Sequence, residues 1–171
     1  DFTIGNTLGV NGEKLCEVFL LGKAPLCLPD DYTKTLQTLR FPNMAGLLTG
    51  SIDLVFRKRV NGHPMWFVAD YKSNRLDPFA SRTYPQENFA KTHMQTAMNE
   101  HHYHLQYCLY TLAIHRYLRL RVATYDYERD FGGVYYLFIR GMTGDADHGS
   151  YFRRPPVSLI DALDKLFSEG S

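Results

Sequence analysis

A chain of 171 residues, 44% hydrophobic and 14% aromatic, is long enough for one domain with a real core, and its Tyr- and Phe-rich composition argues against disorder. A formal net charge of +1 excludes a protein that coats nucleic acid by bulk charge, so any such contact must be local. Cys16, Cys27 and Cys108 share no disulfide or zinc spacing, and no signal peptide or membrane-length apolar run occurs, so the sequence reads as free thiols in a reducing, cytoplasmic compartment with no membrane role. Basic residues gather at Arg57, Lys58 and Arg59, at Arg116, Arg119 and Arg121, and at Arg153 and Arg154; on charge alone these read as solvated faces. The chain opens at Asp1-Phe2 without a methionine and is expected to be a piece of something longer.

In chain order, Lys14–Leu21 (KLCEVFLL) predicts a short buried strand. Asp30 to Pro42 predicts a polar linker with a helical turn. Leu47–Arg57 (LLTGSIDLVFR) predicts a strand with an embedded Gly50. Asn61-Gly62 follows, a strong hairpin signal because both residues tolerate positive φ, so the return strand Met65–Lys72 (MWFVADYK) pairs antiparallel with it. A Pro-punctuated loop over Ser73–Gln86 leads into a long helical pattern from about Asn88 to Val122. Its apolar residues are Met94, Met98, Leu105, Leu109, Leu112 and Ile114, and the segment Glu100–His104 is a place where it can break. Gly132-Gly133 closes the next loop, and Gly133–Arg140 (GVYYLFIR) predicts another strand. Thr143–Ser150 is a loop, and a last helix over Ser158–Phe167 follows Pro155-Pro156, with Ser158 and Asp161 in a capping arrangement. Strand, hairpin, helix, strand, helix is the order of an α/β fold, a mixed β-sheet flanked by helices in a single domain over residues 1–171. If the strands ending at Lys72 and Arg140 lie parallel, the step between them is a right-handed crossover.

The chemistry concentrates on the hairpin. Asp70 and Lys72, two apart on one strand, share a face, and Asp53 on the partner strand can join them. Two neighbouring carboxylates repel unless a cation lies between them. Mg²⁺ favours a few carboxylate oxygens plus waters and leaves room for a phosphate, which it polarises while acidifying a bound water. An ammonium beside that ion stabilises the charge of a pentavalent phosphorus or positions the water. The competing reading is an exposed Asp70–Lys72 salt bridge of little consequence. The apolar lead-in MWFVA favours the functional reading, because it places the charges at the end of a buried strand.

Gly50-Ser51-Ile52-Asp53, the hairpin, and Asp70-Tyr71-Lys72 resemble the G-x-I-D…D-Y-K form of the PD-(D/E)XK nuclease core, and Gln106-Tyr107-Cys108-Leu109-Tyr110 resembles the Q-x-x-x-Y motif of its RecB-like branch. The stretches GSIDLVFR, DYKSNRL, YHLQYCLYTLAIHRYLR, YDYERDFGGVYYLFIRG and RRPP are similar to the C-terminal nuclease domain of RecB subunits of exodeoxyribonuclease V, from about Thr49 to the end; residues 1–46 resemble it less. The resemblance implies a restriction-endonuclease-like core and Mg²⁺-dependent DNA hydrolysis in double-strand-break repair and recombination, with Mn²⁺ or Ca²⁺ able to take the ion's place in binding. It implies Asp53, Asp70 and the backbone carbonyl of Tyr71 as metal ligands, and Lys72 as the catalytic lysine. Gln106 and Tyr110, one helical turn apart, would face the site and DNA, where an amide and a phenol hold phosphate or sugar without reading bases. Glu17 is a further metal-ligand candidate, because an acid or His from an earlier element often completes such sites. The family's upstream metal-binding His has no counterpart, since all seven His lie at His63 or beyond, and the chain alone is expected to hold metal poorly. His101, His102 and His104 read as a solvated helix face.

The implied partners are linear double- and single-stranded DNA and RecC-like and RecD-like subunits. No Walker A sequence occurs, so the ATP-driven motor would lie elsewhere. The alternative is a nuclease-fold module that binds DNA or a partner without cutting; such a module would be expected to lack at least one of Asp53, Asp70 and Lys72. A Cas4- or AddB-type iron–sulfur nuclease is disfavoured by three scattered cysteines.

Overall fold

The computed structural model describes residues 1–4, 10–26, 28–29, 32–39, 48–76, 86–144 and 148–168. The strands are β1 (Phe2–Ile4), β2 (Leu48–Gly50), β3 (Leu54–Val60), β4 (His63–Lys72), β5 (Phe131–Phe138) and β6 (Ser150–Arg153). The helices are α1 (Gly12–Leu20), α2 (Tyr32–Gln37), α3 (Lys91–Glu100), α4 (Tyr103–Arg121), α5 (Tyr127–Asp130) and α6 (Val157–Leu166), with 3-10 turns over Gln86–Phe89 and Ile139–Gly141. The main sheet runs β3-β4-β5-β6: β4 is antiparallel to β3 and parallel to β5, and β6 is antiparallel to β5. A mixed sheet with packed helices is the α/β architecture of a restriction-endonuclease-like core. The β4–α3–α4–α5–β5 passage joins two parallel neighbours, the arrangement the sequence left open.

The β3–β4 hairpin turns at Asn61 and Gly62, whose φ values of 49° and 83° match the twist of the flanking strands. The second half of β4, Phe67 to Asp70, is buried. Val68, Phe131, Val134, Tyr136 and Phe138 from the sheet share one core with Tyr107 and Leu112 of α4, Leu15 and Phe19 of α1, and Leu159, Ile160 and Leu163 of α6.

Several segments differ from the sequence reading. Lys14–Leu21 is helical: Asn11 Oδ1 caps α1 by accepting from Lys14 N at 2.9 Å, and Leu15, Cys16 and Phe19 are buried while Glu17 and Leu20 are exposed. That one-face spacing belongs to a helix, and the strand reading took an unbroken apolar run for a sheet signal. The expected strand Leu47–Arg57 is two strands in different sheets, β2 against β1 and β3 against β4, divided at Ser51–Asp53; Leu47 lies outside the described residues. The long helix does break within Glu100–His104 as expected, at His101–His102, where His102 takes φ 54°. Gly132 and Gly133 lie inside β5 and do not close a loop; β6 occupies Ser150–Arg153, where no strand was expected. Helix α6 opens after Pro156 with no side-chain cap, so Ser158 and Asp161 form no capping box. The helical turn expected after Pro29 is α2, and residues 77–85 of the predicted Ser73–Gln86 loop lie outside the described residues. Cys16 and Cys108 are buried free thiols, and Cys27 lies outside the described residues.

Gly133 has φ 138°, and a Cβ there would stand 2.6 Å from the Phe152 ring and 2.9 Å from the Arg153 carbonyl. Gly133→Ala therefore combines backbone strain with overpacking and should cost about 2–4 kcal/mol, read as a lower denaturant midpoint. A second expectation concerns pH. His104 is fully buried, contacting Tyr107 OH through Nδ1 and Asn99 and Gln95 through Nε2. Burial, and secondarily the Arg153 charge, holds its imidazole down at about 3 against an ordinary 6.5. The unfolded chain takes up that proton first, so stability is lost as pH falls from 6.5 toward 3, at about 1.4 kcal/mol per pH unit. His115, lowered by burial too, adds to the slope. Chemical denaturation across that window should show the loss, and His104→Gln should make the dependence shallower.

Candidate active site

Strand alternation divides β4 into two faces. Phe67, Ala69 and Tyr71 point one way, and Val68, Asp70 and Lys72 point the other, toward α4. Asp70 is 3% exposed and the Lys72 side chain 11%, whereas Tyr71 is 49% exposed. Asp53 stands one residue before β3. Leu54 pairs with Ala69, and one further step in that register sets Asp53 opposite Asp70. Asp53 Oδ2 accepts the Tyr71 N–H at 2.9 Å, which ties the end of the β2–β3 break to β4.

Helix α4 supplies the roof. Lys72 Nζ lies 2.5 Å from Asp70 Oδ2 and donates to Gln106 Oε1 at 2.9 Å. It also lies over two aromatic faces, Tyr103 at 4.0 Å and Tyr136 at 4.9 Å from the ring centroids. Tyr136 OH donates to the same Gln106 oxygen at 2.8 Å, and Tyr110 OH donates to Asp70 Oδ1 at 3.2 Å. One ammonium is thus held by a carboxylate, an amide and two rings, an arrangement that fixes its position. Burial first, and then the Asp70 charge, pushes both the Tyr110 and Tyr136 phenols up, so both stay neutral donors.

The structure brings Asp53, Asp70, Tyr71, Lys72, Gln106 and Tyr110 together. Glu17 sits on the solvent face of α1, and among the described residues no cluster of three or more His, Cys, Asp or Glu side chains is close enough to hold a metal. The fit of a divalent cation therefore rests on the two carboxylates. Asp70 Oδ2 is buried and accepts no hydrogen bond of good geometry, its neighbour being the Lys72 ammonium. A buried carboxylate oxygen in that state, with a second carboxylate across the hairpin, suits an ion such as Mg²⁺ that keeps several waters. It does not suit an ion caged wholly by protein.

Tyr103 and Tyr136 escaped the sequence reading. Tyr103 precedes Gln106 by three on one helix face, and only the sheet register shows Tyr136 as the parallel-strand partner of Asp70. His104 is core and not a solvated helix face, and only His101 of that cluster is exposed. Most of the basic clusters have structural partners: Arg116 and Arg119 bind Asp164, Arg154 binds Glu128, Arg57 stacks on Trp66 and Arg153 on Tyr151. No helix among the described residues is long and apolar enough to cross a membrane.

No protein-family model matches the chain. It is 47% identical over 131 residues to the RecBCD enzyme subunit RecB of Haemophilus influenzae, covering 77% of this chain and 10% of that protein. It is 47% identical over 133 residues to the Escherichia coli subunit of the same name, with 76% and 10% covered. Against the Mycolicibacterium smegmatis subunit it is 35% identical over 164 residues, with 91% and 14% covered. The chain thus spans about a tenth of the length of the relatives it matches.

Proposed function

We propose that this chain, a member of the RecB family, is a nuclease domain that hydrolyses DNA phosphodiester bonds with Mg²⁺ at Asp53, Asp70 and Lys72. The observation that carries the reading is Asp70: it is buried, it stands across the hairpin from Asp53, and its Oδ2 is paired with a fixed lysine 2.5 Å away. Asp53, Asp70 and the Tyr71 carbonyl would hold the ion, and Mn²⁺ or Ca²⁺ could replace it in binding. When bound, Mg²⁺ supplies Lewis-acid polarisation of the phosphate and a water of lowered pKa.

The remaining work belongs to the protein. Lys72 presents one positive charge that needs no reorganisation, because Gln106 and two ring faces already hold it. As negative charge builds on a pentavalent phosphorus, the ammonium stabilises it from the position in which Gln106 and the rings hold it. Tyr110 fixes the orientation of the Asp70 carboxyl, and Gln106 keeps a free amide group for sugar or phosphate. None of these groups reads a base edge, which suits cutting with little sequence preference. In the whole protein the domain would work beside an ATP-driven motor and RecC-like and RecD-like subunits.

A second reading, a module that holds DNA or a partner without cutting, is favoured by the lack of a third acid or imidazole beside Asp53 and Asp70 among the described residues. One experiment separates the two. End-labelled linear DNA, single- and double-stranded, is incubated with the intact protein in Mg²⁺, in Ca²⁺ and in EDTA. Cutting confined to Mg²⁺ supports the nuclease; retention of DNA in all three without cutting supports the module.

A further inference from the structure

At the junction of α3 and α4, beside the carboxylates, His101 and Asn74 have no part in the mechanism above. There the His101 ring stacks on Tyr103, with centroids 5.1 Å apart and planes 25° from parallel. Tyr103 OH donates to Asn74 Oδ1 at 3.1 Å, and Asn74 Nδ2 lies 3.2 Å from His101 Nε2. The three side chains brace one another, so two ring planes are fixed before any ligand arrives. Tyr103 also covers Lys72 Nζ at 4.0 Å, which puts the His101 ring within about 9 Å of the ammonium.

His101 is exposed and forms a ridge shared by two clefts. The one on the carboxylate side, about 420 Å³, runs to Gln106 and Tyr110, is walled by Leu105 and Leu109, and has no Asp, Glu, Lys or Arg in its lining. Such a space suits a flat uncharged ring and not a phosphate. The cleft beyond the ridge, about 300 Å³, is lined by the mixed set Arg75, His93 and Glu100.

We propose that His101, braced by Tyr103 and Asn74, is a stacking platform for an unpaired nucleobase of a single DNA strand, one or two nucleotides from the phosphate that faces Lys72. The proposal rests on the nuclease reading of the site and adds a base-binding subsite to it. A base inside a duplex has both faces covered by its neighbours, so a duplex without ends would leave the platform empty.

The test uses the intact protein in EDTA and a thymidine oligonucleotide carrying 2-aminopurine at successive positions. Fluorescence should be quenched at one position. In His101→Ala that quenching should vanish, and single-strand affinity should fall about tenfold while affinity for a covalently closed circular duplex stays unchanged, with His101→Trp keeping the single-strand affinity. Unchanged quenching and affinity in His101→Ala, or equal binding when an abasic residue replaces the quenched position, would overturn it. Because no cutting is required, failure of the nuclease reading would leave the quenching in place, and failure of the platform would leave Mg²⁺-dependent cutting in place.

Discussion

Asp70→Asn should abolish Mg²⁺-dependent cleavage, by about a thousandfold or more, in a protein that stays folded. The substitution removes the one buried negative charge of the site and leaves its shape. The Asn oxygen can still accept from Tyr110, and the neighbours on β4 and β5 keep their packing. The variant will be less stable, because Lys72 loses the carboxylate 2.5 Å away. Breaking a buried ion pair from one side costs about 3–5 kcal/mol, and Gln106 and the rings over Nζ reduce that loss here. A melting curve run beside the cleavage assay separates the two effects: lowered Tm with a cooperative transition and no cutting is the expected pair. Cutting at the wild-type rate would remove Asp70 from the mechanism.

Lys72→Met should lower the cleavage rate by about a hundred- to a thousandfold while changing DNA affinity less than about threefold. Met keeps an unbranched stem between the Tyr103 and Tyr136 rings and deletes only the charge. If Lys72 stabilises charge that exists only in the transition state, kcat falls and KM does not; a rise in KM alone would make it a phosphate anchor. Lys72→Arg should not restore the rate. A planar guanidinium cannot occupy the point between two ring faces, Gln106 and Asp70 that a compact ammonium fills.

The hairpin was legible because its information is local: Asn61-Gly62 fixes the turn, the turn fixes the register, and the register sets Asp53 against Asp70. The helix break at His101–His102 also showed in the sequence, as a polar interruption of an apolar pattern. What failed was non-local. KLCEVFLL is apolar enough for either structure, and only the Asn11 cap and burial against the other helices decide for a helix. Nothing within LLTGSIDLVFR says that its two halves pair with different partners, Phe2–Ile4 and His63–Lys72. SYFR is a strand only because β5 offers it an edge. At the site, Asp53, Asp70 and Lys72 follow from spacing, and Gln106 and Tyr110 from a motif. Tyr103 and Tyr136 needed the fold, because a ring's meaning depends on what lies over its face.

If Asp53 and Asp70 together bind a divalent ion, a crystal of the intact protein soaked in Mn²⁺ should show an anomalous-scattering peak between the two carboxylates and beside the Tyr71 carbonyl, lost in Asp70→Asn. A well-ordered site with both carboxylates in place and no anomalous peak at saturating Mn²⁺ would contradict it.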